Sequence, residues 1–185
     1  LIREKLFNGQ KLCAVVKSNC SGLGAKKVCE ELDSVVDYFA VSCTKEFYQI
    51  SRCTTKPILI LSPVYKNIKR LIERGANLTV CNIESLIAVA KAAMVLNTVC
   101  KVHIAVNTGM NRFGFKSEKD FELALKVLKK TQNIQICGVF SHYYQANNQN
   151  FAKNQYNKFL DFNISYLNIT SVNTIFHIAA TDGVS

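Results

Sequence analysis

KVHIAVNTGMNRFGFKSEKDFELALKVLKKTQNIQICGVF, residues 101–140, holds one complete strand–loop–helix–strand unit. Lys101–Val106 and Ile134–Phe140 are short β-rich runs. Between them, Ser117 stands where a helix cap is wanted, Glu118 and Asp120 fall in the first turn, and Phe121, Leu125 and Leu128 recur at spacings of four and three. Glu118–Lys130 therefore reads as a helix that buries one face. Two such strands joined through a helix run parallel, and Asn107–Phe115 becomes the loop beyond the C-terminal end of the first.

The same alternation extends outward in both directions. Candidate strands are Lys11–Val16, Tyr38–Cys43, Ile58–Leu61, Asn77–Cys81 and Thr174–Ile178, which with the two above make seven. Candidate helices are Gly24–Leu32, Lys45–Cys53, Lys66–Arg74, Ile83–Leu96 and Phe151–Leu160, with a further one at Leu1–Phe7. Asn82 is placed to cap the Ile83 helix, and Gly75 to close the one before it. Seven strands in unbroken βα alternation predict a (β/α)8 TIM-type barrel that lacks one strand. A Rossmann sheet fits less well, because Asn19-Cys20-Ser21-Gly22-Leu23-Gly24 does not match its glycine fingerprint. Since an open edge is an aggregation hazard, the eighth strand is expected to lie outside residues 1–185. With two prolines, Pro57 and Pro63, and no repeat or linker, residues 1–185 are expected to form one partial barrel domain.

Composition narrows the function classes. Of 185 residues, 49% are hydrophobic and 19% charged, which suits a globular domain with a sizeable core. Apolar runs such as Ile58–Leu61 and Leu86–Val89 are too short to span a membrane, and Leu1–Gln10 carries charges where a signal peptide needs an apolar stretch. The net charge of +10 favours anionic partners, but the lysines are dispersed along helices, so neither nucleic acid nor membrane is expected as a partner. The eight cysteines, several of them in apolar runs as in Leu12-Cys13-Ala14 and Ile136-Cys137-Gly138, read as small hydrophobes in a reducing cytoplasm. No Cys-x-x-Cys pair occurs and the three histidines lie far apart, so no metal site is expected.

In a barrel, chemistry collects just beyond the strand ends. After the first strand comes Val16-Lys17-Ser18-Asn19, an amine at the mouth of an apolar core, where it is placed to attack a carbonyl. The same position also accommodates a lysine that snorkels into solvent. The fifth strand is followed by Asn107-Thr108-Gly109-Met110-Asn111-Arg112-Phe113-Gly114-Phe115, with a guanidinium between two glycines, suited to a carboxylate or phenolate or simply to solvent. The sixth ends at Ser141-His142, an imidazole with either a structural or a ring-contacting role. The seventh, through His177, leads to Thr181-Asp182-Gly183, where backbone N–H groups and a hydroxyl suit phosphate.

These segments together resemble the alanine racemase family, pyridoxal-phosphate enzymes of fold type III, over essentially the whole chain. The two strongest matches are Ala14-Val15-Val16-Lys17-Ser18-Asn19 and Val106-Asn107-Thr108-Gly109-Met110-Asn111-Arg112-Phe113-Gly114-Phe115. Gly138-Val139-Phe140-Ser141-His142, Gln155, Phe159 and His177-Ile178-Ala179 support them. The resemblance implies that Lys17 holds pyridoxal 5'-phosphate as a Schiff base and acts as one of two acid/base groups at the substrate α-carbon. It implies that Arg112 addresses the cofactor's phenolic oxygen and the substrate carboxylate, with Met110 beside it. His142 would lie by the pyridine ring, His177 would support an arginine further along, and Ser21 and Thr181 would serve the phosphate. The implied reaction interconverts L- and D-alanine, D-alanine being a peptidoglycan precursor, in a cytoplasmic homodimer. Its second base is a tyrosine on a C-terminal β domain, expected to lie outside residues 1–185, so these residues alone are expected to be nearly inactive. Four positions depart from the family pattern: Ser21 replaces a tyrosine, Ala105 a lysine that is often carbamylated, Asn107 an aspartate, and Ala180-Thr181 an Asn-Ser pair. A non-catalytic pyridoxal-phosphate-binding barrel, active in cofactor homeostasis, is the alternative.

Overall fold

A computed structural model describes residues 2–7, 9–170 and 174–178. The chain divides into two compact units, Leu1–Thr79 and Val80–Ser185.

The first unit carries β1 (Cys13–Val15), α1 (Lys17–Ser21), α2 (Ala25–Leu32), β2 (Tyr38–Val41), α3 (Thr44–Ile50), β3 (Ile58–Ile60), α4 (Ile68–Glu73) and β4 (Asn77–Val80), whose last residue passes into the second unit. Its strands pair in parallel in chain order, with Ala14 opposite Phe39, Ala40 opposite Leu59 and Ile60 opposite Leu78. Every residue of β3 and β4 is buried, as expected of parallel strands covered on both faces. Among them, Thr79 removes its polarity by donating its hydroxyl to the Ile60 carbonyl at 2.7 Å. Gly75 ends α4 as the sequence requires. At φ 73° it lets its own N–H reach Ile72 O and the Ala76 N–H reach Leu71 O, a Schellman closure.

The expected helix at Leu1–Phe7 is a correction: only Arg3–Lys5 turn, as a 3-10 element with no buried residue. A short segment with no face to bury cannot meet the cost of helix nucleation. It is tethered instead by Asp37, whose carboxylate accepts from Arg3 at 2.6 Å and from the Leu12 N–H at 2.8 Å.

The second unit carries α5 (Ile83–Leu96), β5 (Cys100–Ala105), α6 (Glu118–Lys130), β6 (Ile134–Phe140), α7 (Gln149–Thr170) and β7 (Ile175–His177). Here β5 pairs in parallel with β6, and β6 with β7. Asn82 and Ser85 form a reciprocal capping box at the head of α5. Ser117 accepts from the Asp120 N–H at the head of α6, and Phe121, Ala124, Leu125 and Leu128 are the buried face of that helix. The helix α7 runs ten residues beyond the expected end at Leu160, because Phe162, Tyr166 and Thr170 remain buried and Phe162 packs edge-on to Phe121 at 5.2 Å.

One irregularity shapes this sheet. Val102 pairs with Ile136 but His103 pairs with Gly138, so Cys137 is an extra residue in β6. All eight cysteines are free. Burial pushes the Cys13 and Cys100 thiols up to about 12 and raises that of Cys137, although of the three residues only Cys100 is fully buried, Cys13 being exposed on β1 and Cys137 half-buried. Among the described residues no helix is long and apolar enough to cross a membrane.

Candidate active site

Lys17 lies two residues past the end of β1 and is exposed. It opens α1, a single turn wound with the unusual hand: Ser18, Asn19, Cys20 and Ser21 have φ between 52° and 55°, and none is glycine. Left-handed helix costs an L-residue roughly 1–2 kcal/mol, so four in succession need outside support. Two side chains give it. The Glu46 carboxylate, in the first turn of α3, accepts the Ser18 N–H at 2.8 Å and both the N–H and hydroxyl of Ser42 at 2.7 Å. The Asn19 amide oxygen accepts the Ala25 N–H at 2.8 Å, tying the turn to α2. Burial raises the Glu46 carboxyl, but the Ser18 and Ser42 donors outweigh it and hold the group below the ordinary glutamate range. Ser21 ends the turn, exposed.

In the second unit the loop after β5 is closed by its own backbone. Phe115 donates to Ala105 O at 3.0 Å and accepts from Asn107 at 2.8 Å, so residues 107–114 double back on the strand. Gly114 permits this, since a Cβ there would lie 2.7 Å from the Val106 carbonyl carbon. Asn107 does inside the loop what a carboxylate would do, its oxygen accepting from both the Gly109 and Asn111 N–H groups at 3.1 Å. Its amide adds a bond to Asn111 at 3.2 Å, which a carboxylate cannot donate. The departure at Asn107 therefore preserves the loop.

Arg112 is exposed, its guanidinium 4.9 Å over the Phe113 ring. With Met110, Ala105, Phe140, Ser141 and His142 it lines a hollow at the ends of β5 and β6. Ala105 contributes only a buried methyl, 2% exposed, so no side chain from that position reaches Arg112. The strand ends are cross-tied by a buried network: Thr108 and Ser141 hydroxyls lie 2.7 Å apart, and Gln155 donates to Thr108 at 3.2 Å and to the His142 carbonyl at 3.1 Å while accepting from the Tyr144 N–H.

His177, the last residue of β7, stacks on Phe140 with ring centroids 5.0 Å apart. Its Nε2 is 3.0 Å from Nδ1 of His103 on β5, two strands away. Gly138 makes the reach possible, because a Cβ there would sit 2.2 Å from that Nδ1. Burial pushes His103 down to about 3, helped by His177, and His177 down to about 4, so both rings are neutral near pH 7. Thr181, like Ala180 and Asp182, lies outside the described residues. The sequence reading missed Glu46 and His103. His103 carried one signal, a polar ring inside an apolar strand with a glycine on the neighbouring run.

Comparison with known proteins places this arrangement. The family model described as alanine racemase, N-terminal domain, matches residues 1–185. An alanine racemase of Francisella philomiragia is 30% identical over 99% of this chain and 50% of its own length, and one of Lactobacillus gasseri 35% identical over 84% and 43%. The chain thus spans about half the length of these relatives. Among solved structures, the Clostridium difficile 630 alanine racemase in complex with cycloserine superposes with a TM-score of 0.91 at 27% identity, covering 99% of this chain and 52% of that one. The Bacillus anthracis alanine racemase with bound L-Ala-P gives 0.86 at 27% identity, covering 99% and 48%. With seven parallel strands alternating with helices, the chain has the fold of an incomplete (β/α)8 barrel and belongs to the alanine racemase N-terminal domain family.

Proposed function

We propose that these residues form the cofactor-binding barrel of a pyridoxal-phosphate-dependent amino-acid racemase, with alanine as substrate and Lys17 as the residue that holds the cofactor. The observation that carries this reading is that each candidate group stands at the C-terminal end of its own strand: Lys17 after β1, Arg112 in the loop after β5, His142 after β6 and His177 closing β7. An exposed amine suits the cofactor's carbonyl carbon, and a guanidinium and an imidazole lining one hollow suit its phenolate oxygen and ring. When bound, pyridoxal phosphate supplies the electron sink that makes an amino-acid α-proton removable.

In this reading the Lys17 amine holds or releases the proton at one face of the α-carbon. Arg112 binds the phenolic oxygen and the substrate carboxylate, and Met110 borders the substrate. His142 would lie beside the pyridine ring, and His177, neutral, would support an arginine further along the chain. Ser21 and Thr181 offer hydroxyls to the phosphate. Proton transfer at the opposite face needs a second base, which we assign to a tyrosine of a C-terminal β domain in the other subunit of a homodimer. Residues 1–185 as one isolated barrel domain are therefore expected to racemise poorly. The buried methyl of Ala105 favours a second reading, a pyridoxal-phosphate barrel that binds without catalysis, since Arg112 gets no support from that position. In either case we assign the protein to a reducing cytoplasm.

Mixing full-length protein with pyridoxal phosphate is expected to give the visible absorbance band of a lysine-bound cofactor, and Lys17→Ala to abolish it. A band that survives this substitution refutes the assignment of Lys17. Exchange of the α-proton into solvent, followed across L- and D-amino acids, separates racemase from binding barrel.

A further inference from the structure

Four consecutive non-glycine residues in left-handed conformation do not hold themselves, and the first of them, Ser18, adjoins Lys17. Its N–H is received by a side chain from a different βα unit, the Glu46 carboxylate at 2.8 Å. That carboxylate is itself anchored to the end of β2 by two 2.7 Å bonds from Ser42, one from backbone and one from the hydroxyl. Glu46 is half-buried and begins a helix whose N-cap, Cys43, provides no side-chain bond of its own. The carboxylate thus joins three pieces of chain: the Lys17 turn, the strand end beside it and the head of α3. Its charge suits this position at a helix N-terminus, and its two oxygens divide the work, Oε1 taking Ser18 and Oε2 taking Ser42.

We propose that Glu46 is the positioning residue for Lys17, clamping the left-handed turn so that the lysine amine is delivered at a fixed place beyond β1. The inference rests on the reading of Lys17 as the cofactor residue. Glu46 acts through the backbone of the next residue and does not touch the cofactor. Ser42 anchors the clamp, so loss of its hydroxyl leaves the Ser18 bond in place, whereas loss of the carboxylate releases the turn altogether.

The test uses full-length protein and three variants, Glu46→Ala, Glu46→Gln and Ser42→Ala, each followed by pyridoxal-phosphate titration at the visible band and by amide hydrogen exchange of the peptide containing residues 17–21. Glu46→Ala is expected to raise the half-saturating cofactor concentration at least tenfold and to speed exchange of the Ser18 amide at least tenfold. Glu46→Gln, which keeps one acceptor oxygen but turns its NH2 towards either the Ser18 or the Ser42 donors, is expected to recover part of both losses, a partial rescue that a general loss of folding would not show. Ser42→Ala is expected to lower the melting temperature with cofactor titration within twofold of wild type. Unchanged Ser18 exchange in Glu46→Ala overturns the clamp, and changed exchange with unchanged cofactor titration overturns its role in positioning Lys17. A wild-type protein with no visible band defeats the cofactor reading, and with it the delivery of Lys17, while the exchange data still decide whether the clamp exists.

Discussion

The Lys17 turn and the His103–His177 pair hold their groups in opposite ways. The turn is exposed, conformationally costly and held by hydrogen bonds to a carboxylate and an amide. The imidazole pair shares one 3.0 Å hydrogen bond but is otherwise packed against Phe140 and fitted over a glycine, so shape and burial do most of the holding. In the turn, backbone freedom is scarce where it would help. Beneath the rings, space is scarce, and a glycine supplies it.

Substitution should expose that contrast with opposite signs. The largest effect is expected for Gly138→Val, which drives carbon into the His103 ring from 2.2 Å. Overpacking of this kind costs about 3 kcal/mol or more, measurable as a fall in urea midpoint, and pairing it with His103→Ala should restore much of the loss. A fully additive double variant would show that the ring is not what the glycine accommodates.

Next in size is a pH effect confined to the imidazoles. Both are neutral in the fold with values near 3 and 4, while in the unfolded chain they protonate near the ordinary 6.5. The unfolded state therefore binds more protons in this window, so stability is complete above about pH 6.5 and falls as pH drops towards 4. The decline should be on the order of 1 kcal/mol per pH unit for each ring, and His103→Phe should roughly halve it when unfolding is compared at pH 7.5 and 5. The smallest effect should be a gain. Ser18→Gly keeps the N–H that Glu46 accepts and removes the left-handed penalty, so it is expected to stabilise by up to about 1 kcal/mol in thermal melts. A loss there would mean that the turn is not strained.

The two regions also differed in how far the residues alone disclosed them. Periodicity and caps located α5 and α6 to the residue, because Asn82, Ser117 and the spaced apolar positions act locally. Among the strands only β6 was located to the residue, and the other strands differed by one or two residues at one end or both, as pairing partners and not propensity decide where a ladder stops. The left-handed hand of Lys17–Ser21 was not legible, since Ser and Cys give no warning of positive φ, a single Asn signals one such residue and not four in a row, and the stabilising Glu46 is 28 residues from Ser18. The His103–His177 contact was hidden for the same reason, a separation of 74 residues bridged only once β5, β6 and β7 lie side by side. What could be placed from sequence was the position of each candidate group at a strand end. What holds each group there came from distant partners.

The extra residue Cys137 sets a rule for the lengths this chain can tolerate. Side chains alternate between faces along a strand, and the bulge absorbs one residue so that Gly138, Val139 and Phe140 keep register with His103, Ile104 and Ala105. Deleting Cys137 alone would leave Ile136 opposite Val102, Gly138 opposite His103 and Phe140 opposite Ala105, now in a regular ladder. A single deletion at the bulge should therefore be tolerated, whereas a single deletion between Gly138 and Phe140 turns the later side chains to the other face, a contrast that a scan of single-residue deletions along β6 would read out in survival.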